Sequence, residues 1–334
     1  FAHSPEIAAQ ATGYLFAFLG VLFGEVFAIT LTNYFNATGD TRSPLFSYLL
    51  ALPLNVALSA ALIYGFWSFP ALGVMGAAIG SAVAALIRAL FLGIVMAREN
   101  GWLMRHAGWH GSTFADAFKR HLLFSLPIAA TFISATTAAT ACGLIYAGLS
   151  INYFAAMTLI LPWIQFVGTL GMAWAQAAGI IVGQMLGSQD DTRRVDQFLR
   201  EAWQGALAAA CLVAVIYVAL CLTSGVLYAN LEQETRRALY SFLPILMILP
   251  FPKGSNAMCG HSLRAGGDTV YVMKLFVLSQ WLVRVPFTFV LVFLLDVHVA
   301  VVLFILLLEE FVKFIPFHSR FKSGHWKTAK VLTD

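Results

Sequence analysis

Apolar residues run in stretches long enough to cross a bilayer, and polar residues gather in short intervals between them. A crossing of the roughly 30 Å hydrocarbon layer needs about 20 helical residues. Nine runs meet that need, over residues 11–35, 45–66, 71–96, 122–147, 152–186, 202–228, 238–263, 270–294 and 297–318. Barrel strands would be shorter and would alternate polar with apolar positions, so the pattern predicts an all-α polytopic membrane protein. The run from 152 is too long for one crossing, and Pro162 with Gly168 and Gly171 predicts a kink or a projecting end.

Composition agrees: 60% of the chain is hydrophobic and 11% is charged, against roughly 25% charged in an ordinary soluble domain. Lys and Arg favour short cytoplasmic loops. Arg42, Arg98, Arg105, Lys119, Arg120, Arg193, Arg194, Arg200, Arg264, Lys274, Arg320, Lys322, Lys327 and Lys330 all fall on one side, and Arg236 and Arg237 on the other. The C-terminus is therefore expected in the cytoplasm. The net charge of +4 is membrane topology and implies no nucleic-acid partner. Cys142, Cys211, Cys221 and Cys259 lie inside apolar runs without CxxC spacing, so neither a disulfide frame nor a metal site is expected. No cleavable signal is visible, and the chain starts at Phe1.

One polar turn is written twice: Gly39-Asp40-Thr41 and Gly267-Asp268-Thr269, each between two apolar runs and both expected in the cytoplasm. Internal repeats in membrane proteins mark transporters, whose related halves rock about a central site. Glycine permits the reversal, Asp caps the next helix, and Thr assists. The other reading is a latch between lobes on that side, with Arg42 and Arg264 close by. Repeat symmetry leaves the first half about 108 residues short, or roughly three helices, so a fragment is expected. The domains are then 1–97, half of an N-terminal lobe; 98–121, a linker; 122–319, a C-terminal lobe of six helices; and 320–334, a tail. In the linker Ser112 or Thr113 is expected to cap a short amphipathic helix with Phe114 and Phe118 on one face, and Trp102 and Trp109 at headgroup level.

Five stretches together carry a family resemblance: "ATGDTRSPLFSYLLALPLNVAL" at 37–58, "PALGVMGAAIGSAVA" at 70–84, "AAGIIVGQMLGSQD" at 177–190, "HSLRAGGDT" at 261–269 and "RFKSGHWKTAKVLT" at 320–333. In order and spacing the chain resembles the bacterial multidrug and toxic compound extrusion (MATE) family over essentially its full length. The resemblance implies two six-helix lobes in a V around a cavity, nine of the twelve helices being present. It also implies a monomer in the bacterial inner membrane that exports small organic, often cationic, compounds against entering Na+ or H+, with no other cofactor. Where Na+-coupled relatives carry an acid on the seventh helix and another on the tenth, this chain has Ala135 or Thr136 and Lys253. "FPKGSNAM" at 251–258 and "LLEEFVKF" at 307–314 resemble a subgroup with a lysine in the tenth helix and Glu-Glu-x-x-Lys in the twelfth.

Charges within the runs are costly and are candidate coupling groups. Counted at 1.5 Å per residue, Glu25, Lys253, Arg284, Glu309 and Glu310 share a level roughly 15 Å deep. An ionic cluster is expected, with Lys253 and Arg284 against Glu309 and Glu310 and with Lys313 a turn further on. Lys253 either exchanges a proton or replaces a bound cation, with Glu309 or Glu310 as switchable partner; the bland reading is a static salt bridge. Glu25 is either a cation-recognising carboxylate or a protonated acid bonded to a helix neighbour. Asn33, Asn55, Gln165 and Asn256 either line a polar path or bind helices together. His261 reads as structural. Phe132, Tyr153, Trp163, Phe166, Trp174 and Trp281 are stacking candidates for a flat cation. The glycines and alanines from Gly73 to Ala84 read as close helix packing. A lipid-linked precursor flippase of the same superfamily is the alternative, and would need a cationic cavity for a pyrophosphate. An intramembrane enzyme is the third reading, but no nucleophile–base pair, metal cluster or acidic motif supports it.

Overall fold

The computed structural model describes residues 4–66, 69–99, 111–188, 191–228, 231–295 and 297–327, and these are helical apart from turns. Trp102, Arg105, Trp109 and Lys330, named above, lie outside them. The chain divides into two compact units, Phe1–His110 and Gly111–Asp334.

The first unit holds α1 (Pro5–Thr38), α2 (Arg42–Tyr64) and α3 (Val74–Glu99). Helix α3 packs on both others through glycines. A Cβ added at Gly24 of α1 would lie 2.9 Å from the Leu86 nitrogen, and at Gly76 of α3 it would lie 2.5 Å from the Leu62 carbonyl oxygen. At Gly80 it would lie 2.7 Å from the Ser59 nitrogen. The small-residue stripe therefore lets backbones touch, which is how helices associate where lipid is as apolar as their side chains. Gly76→Ala is expected to force α2 and α3 apart and to lower the thermal midpoint in detergent, at a cost of about 1–3 kcal/mol.

The second unit starts with α4 (Gly111–Tyr146), α5 (Ile151–Gly187) and α6 (Thr192–Leu222). Nothing in 111–126 breaks a helix, so the amphipathic segment expected as a separate element forms the opening turns of α4. Phe114 and Phe118 do share a face there, their rings 6.2 Å apart. Helix α5 has 37 residues with Pro162 inside, about 55 Å of helix, and so exceeds a single crossing. Asp191 caps α6, accepting from the Arg193 backbone N–H at 3.1 Å. Short α7 (Ser224–Leu227) and α8 (Gln233–Ser241) follow, then α9 (Leu243–Ile248) and α10 (Pro250–Ala265). The run read at 238–263 is thus three pieces, because Pro244, Pro250 and Pro252 each lack the N–H that a continuous helix needs. The next run is one span broken by two π-helical turns: α11 (Thr269–Leu278), Ser279–Arg284, α12 (Val285–Phe289) and Val290–Leu294. Last comes α13 (Val299–Lys322).

Among the described residues seven helical spans are long and apolar enough to cross a membrane, against the nine runs expected. The other two are the proline-broken α8–α10 segment and α13, which is 24 residues long but carries Glu309, Glu310 and Lys313 at its middle.

The duplicated turns share their backbone. Gly39 has φ 90° and Gly267 φ 88°, values that glycine alone adopts freely. The Asp40 N–H donates to the Phe35 carbonyl, and the Asp268 N–H to Leu263, both at 2.9 Å. Their side chains differ. Asp40 caps α2 as expected, accepting from the Arg42 and Ser43 N–H groups at 2.9 and 3.2 Å. Hydrogen bonding from Ser43, side chain before backbone, holds its carboxyl below the usual range. Asp268 makes no cap, contrary to expectation, because its carboxylate is turned to Arg320 at the end of α13 and accepts from Nε at 2.6 Å. Thr41 gives α2 no side-chain cap either, since Asp40 already fills that role. Arg264 is not paired with Asp268 but lies over the Phe276 ring at 5.7 Å. Beyond α13 the chain folds back and buries Trp326 among Val182, Val195, Leu199 and Leu263, and Lys327 pairs with Asp196.

Candidate functional site

Each unit buries one cation on its last helix, over an aromatic ring. In the first unit this cation is Arg88 of α3, 3% exposed, which the sequence reading passed over. Its Nη1 donates to both carboxylate oxygens of Glu25, at 3.1 and 2.9 Å. Its Nη2 donates to Tyr48 Oη at 2.9 Å and to Thr32 Oγ1 at 3.3 Å, and its guanidinium carbon lies 3.8 Å from the Tyr48 ring centre. Glu25 is therefore half of an ion pair, which corrects the reading of a protonated acid bonded to a helix neighbour.

In the second unit the cation is Lys313 of α13, 2% exposed. Its ammonium donates to Glu309 Oε1 at 3.0 Å and Glu310 Oε1 at 2.8 Å, and lies 4.8 Å from the Phe276 ring centre. Arg284, at the end of the first π-helical turn, stands 3.8 Å from Glu309. Asn256 of α10 donates to the backbone oxygen and to Oε2 of Glu310, both at 2.8 Å, so this amide joins helices. The expected cluster of Arg284, Glu309, Glu310 and Lys313 exists, but Lys253 is not its partner. Lys313 reaches both glutamates from the same helix, three and four residues on, and leaves Lys253 no carboxylate to claim. Among the described residues Lys253 makes no ion pair or hydrogen bond; its Nζ is directed at the bare Gly168 backbone, where an added Cβ would lie 3.3 Å from it and 3.3 Å from Tyr217 Oη. A cavity of about 20 Å³ opens there, bounded by Gly168, Gly171, Ala206, Ala210, Tyr217 and Lys253.

The two sites are in register. Lys253 stands 15 residues before Asp268 as Glu25 stands 15 before Asp40, and Phe276 stands eight after Asp268 as Tyr48 stands eight after Asp40. Lys313 is 14 residues past Val299, the start of α13, as Arg88 is 14 past Val74, the start of α3. On that count Glu309 and Glu310 stand where α3 has Ala84 and Ala85. The tripeptide echo thus contained a register, and carrying it through to the last helices would have found Arg88 and Tyr48.

The remaining candidates scatter. Asn33 and Gln165 are exposed on helix surfaces. Asn55 donates to Ser81 Oγ at 3.2 Å and accepts from Ser59 at 3.3 Å, so it ties α2 to α3. His261 packs against Gly179, whose added Cβ would lie 2.8 Å from its own. Phe132 and Phe166 are 65% and 70% exposed, on faces that enclose nothing within their unit. No group of three or more His, Cys, Asp or Glu suited to a metal ion occurs among the described residues.

The pattern of the MatE family matches residues 127–290. The fold agrees with a crystal structure of the Vibrio cholerae MATE transporter VcmN in the bent form, at a TM-score of 0.77 and 16% identity over 97% of this chain and 72% of that one. Over residues 127–290 the chain is similar to the MatE family. An outward-facing structure of a multidrug resistance MATE family transporter gives a TM-score of 0.76 at 18% identity, over 94% of the chain and 70% of that structure. Among curated relatives, the probable multidrug resistance protein YoeA of Bacillus subtilis is 23% identical over 78% of this chain, and the multidrug resistance protein NorM of Aliivibrio fischeri is 24% identical over 86%. The chain spans only 56% and 62% of those relatives' own lengths. The chain is a polytopic membrane protein with buried charges in two matched sites.

Proposed function

We propose that the protein is a secondary active antiporter that exports organic, predominantly cationic, compounds across the bacterial inner membrane by alternating access, with its C-terminus in the cytoplasm and as a monomer. The match to the MatE family pattern supports the transport reading, and the relatives' names, multidrug resistance proteins, support small organic compounds as the substrates. The observation that carries the coupling is the bare ammonium of Lys253 at a small cavity, beside a cluster whose carboxylates are already taken. Lys253 is thus the one basic group beside the cluster that no carboxylate fixes in a salt bridge among the described residues. Lys253 is accordingly assigned the exchange of the driving H+, and Lys313, held by two glutamates, stays charged throughout. Glu25, whose side chain keeps 36% exposure, is assigned the recognition of cationic groups from the first unit. The flippase reading weakens because Arg284 is committed to Glu309, leaving a single spare cation for a pyrophosphate.

The test is efflux of a fluorescent cation from everted vesicles, with pH and Na+ gradients imposed separately. Lys253→Ala is expected to lower pH-driven efflux at least tenfold at unchanged membrane abundance, and the Na+ gradient alone to drive nothing. Wild-type rates in both Lys253→Ala and Glu310→Gln would rule out coupling at this site.

A further inference from the structure

The register between the two units exposes an exchange of charge. Position 25 carries an acid, and its counterpart 253 carries a base; Ala84 and Ala85 are apolar, and their counterparts 309 and 310 are acids. The first site therefore balances, with Glu25 against Arg88. The second does not. Brought together by α10, α13 and the π-helical turn are Lys253, Lys313 and Arg284 with Glu309 and Glu310, while Tyr217 approaches from α6, and α5 adds Gly168, Gly171 and Met172, none of them charged. Three bases meet two acids. Lys313 and Arg284 use up both carboxylates, and the Tyr217 hydroxyl spends its hydrogen on the Ile164 carbonyl at 2.8 Å.

Whenever Lys253, a half-buried side chain, is protonated, one positive charge is therefore left over beside a largely apolar cavity wall, and it persists there only where something compensates it. The space for that something is already present. The cavity of about 20 Å³ exceeds the roughly 10–15 Å³ that a single water-sized body needs, and it exists because Gly168, Gly171, Ala206 and Ala210 present little or no side chain to it. Its wall offers the ammonium no carboxylate. We infer that this cavity binds one small monovalent anion, of chloride size, against Lys253, and that proton and anion enter and leave the site together. The site then holds a neutral amine or an ammonium–halide pair, and the unit has the same net charge in both states. This rests on the reading that Lys253 exchanges the driving proton, and it adds that the exchange is linked to an anion.

Bromide is the probe. Purified protein in detergent is titrated with sodium bromide replacing sodium gluconate at constant ionic strength, following the thermal midpoint, and crystals grown in bromide are searched for its anomalous signal. The wild type is expected to show a saturable rise whose affinity weakens as pH rises, because the neutral amine holds no anion, and one peak beside Nζ. Lys253→Gln removes the charge; Gly168→Ala keeps it but fills the space, its Cβ falling 3.3 Å from the ammonium. Each is expected to weaken bromide binding at least tenfold. A flat wild-type response, or an equal rise in all three proteins marking an adventitious ion only, overturns the inference. Loss of pH-driven efflux in Lys253→Gln without bromide binding in the wild type leaves the coupling role standing and removes only the anion; normal efflux in Lys253→Gln removes the coupling role itself.

Discussion

Lys313→Met is expected to cost about 3–5 kcal/mol and to leave little folded protein in the membrane, the largest effect of any single substitution considered. Among the described residues the ammonium it removes is the only side-chain group that touches both Glu309 and Glu310, which are 4% and 9% exposed. Breaking a buried ionic cluster from one side strands the other side without water, whereas removing the whole cluster spares that penalty. Arg284, 3.8 Å from Glu309, offsets part of one charge and nothing of the other. The triple variant Lys313→Met/Glu309→Gln/Glu310→Gln is therefore expected to recover most of the thermal midpoint that the single change loses. The measurement is fluorescence-detected unfolding in detergent. A single variant as stable as the wild type would mean that Lys253 swings onto Glu310, and adding Lys253→Gln to it would then bring the collapse.

Glu25→Ala is expected to cost about 3 kcal/mol, at the lower end for a broken buried pair because Tyr48 and Thr32 still hold the guanidinium. No other acid lies within the interior of α1, α2 or α3, the remaining ones being Glu6 and Glu99 near helix ends and Asp40 in the turn. Arg88, 3% exposed, would be left as a buried charge without a counter-ion. The same unfolding measurement is expected to fall by roughly 6–10 °C, and Glu25→Ala/Arg88→Met to regain most of it. An additive double variant, with no recovery, would show that the two side chains do not depend on each other and would undo the account of the first site.

The two sites were unequally legible. Hydropathy showed where charges sit in apolar runs, so Glu25, Arg284, Glu309, Glu310 and Lys253 could all be named, because an ionisable group in a membrane span is conspicuous whatever surrounds it. Arg88 was just as conspicuous and was overlooked; it lies in "AALIRALFL" of α3, with apolar residues on both sides. Depth counting placed Lys253 level with the glutamates and so suggested a pair. Depth, however, says nothing of azimuth: on α10 Asn256 faces α13, while Lys253 faces Gly168 of α5. The duplicated turn shows the same division. Its glycines and backbone hydrogen bonds repeat because the tripeptide is local chemistry, whereas Asp40 and Asp268 part company because only the second lies within reach of Arg320, 52 residues away in sequence.

Span length and apolar content determined the class of protein and where its apolar runs lie, because these follow from a one-dimensional count against the thickness of a bilayer, whereas the count of nine runs became seven long apolar helices among the described residues. Three prolines within nine residues, from Pro244 to Pro252, stood in the run read as a single span over 238–263, and their missing N–H groups mark where it breaks. Which lysine meets the glutamates, and which is left facing an empty space, depended on the rotation of α10 and α13 about their axes. That rotation is set by bare-backbone contacts such as Gly179 on His261 and by hydrogen bonds such as Asn256 on Glu310, between residues far apart in the chain, and only the packed helices decide it.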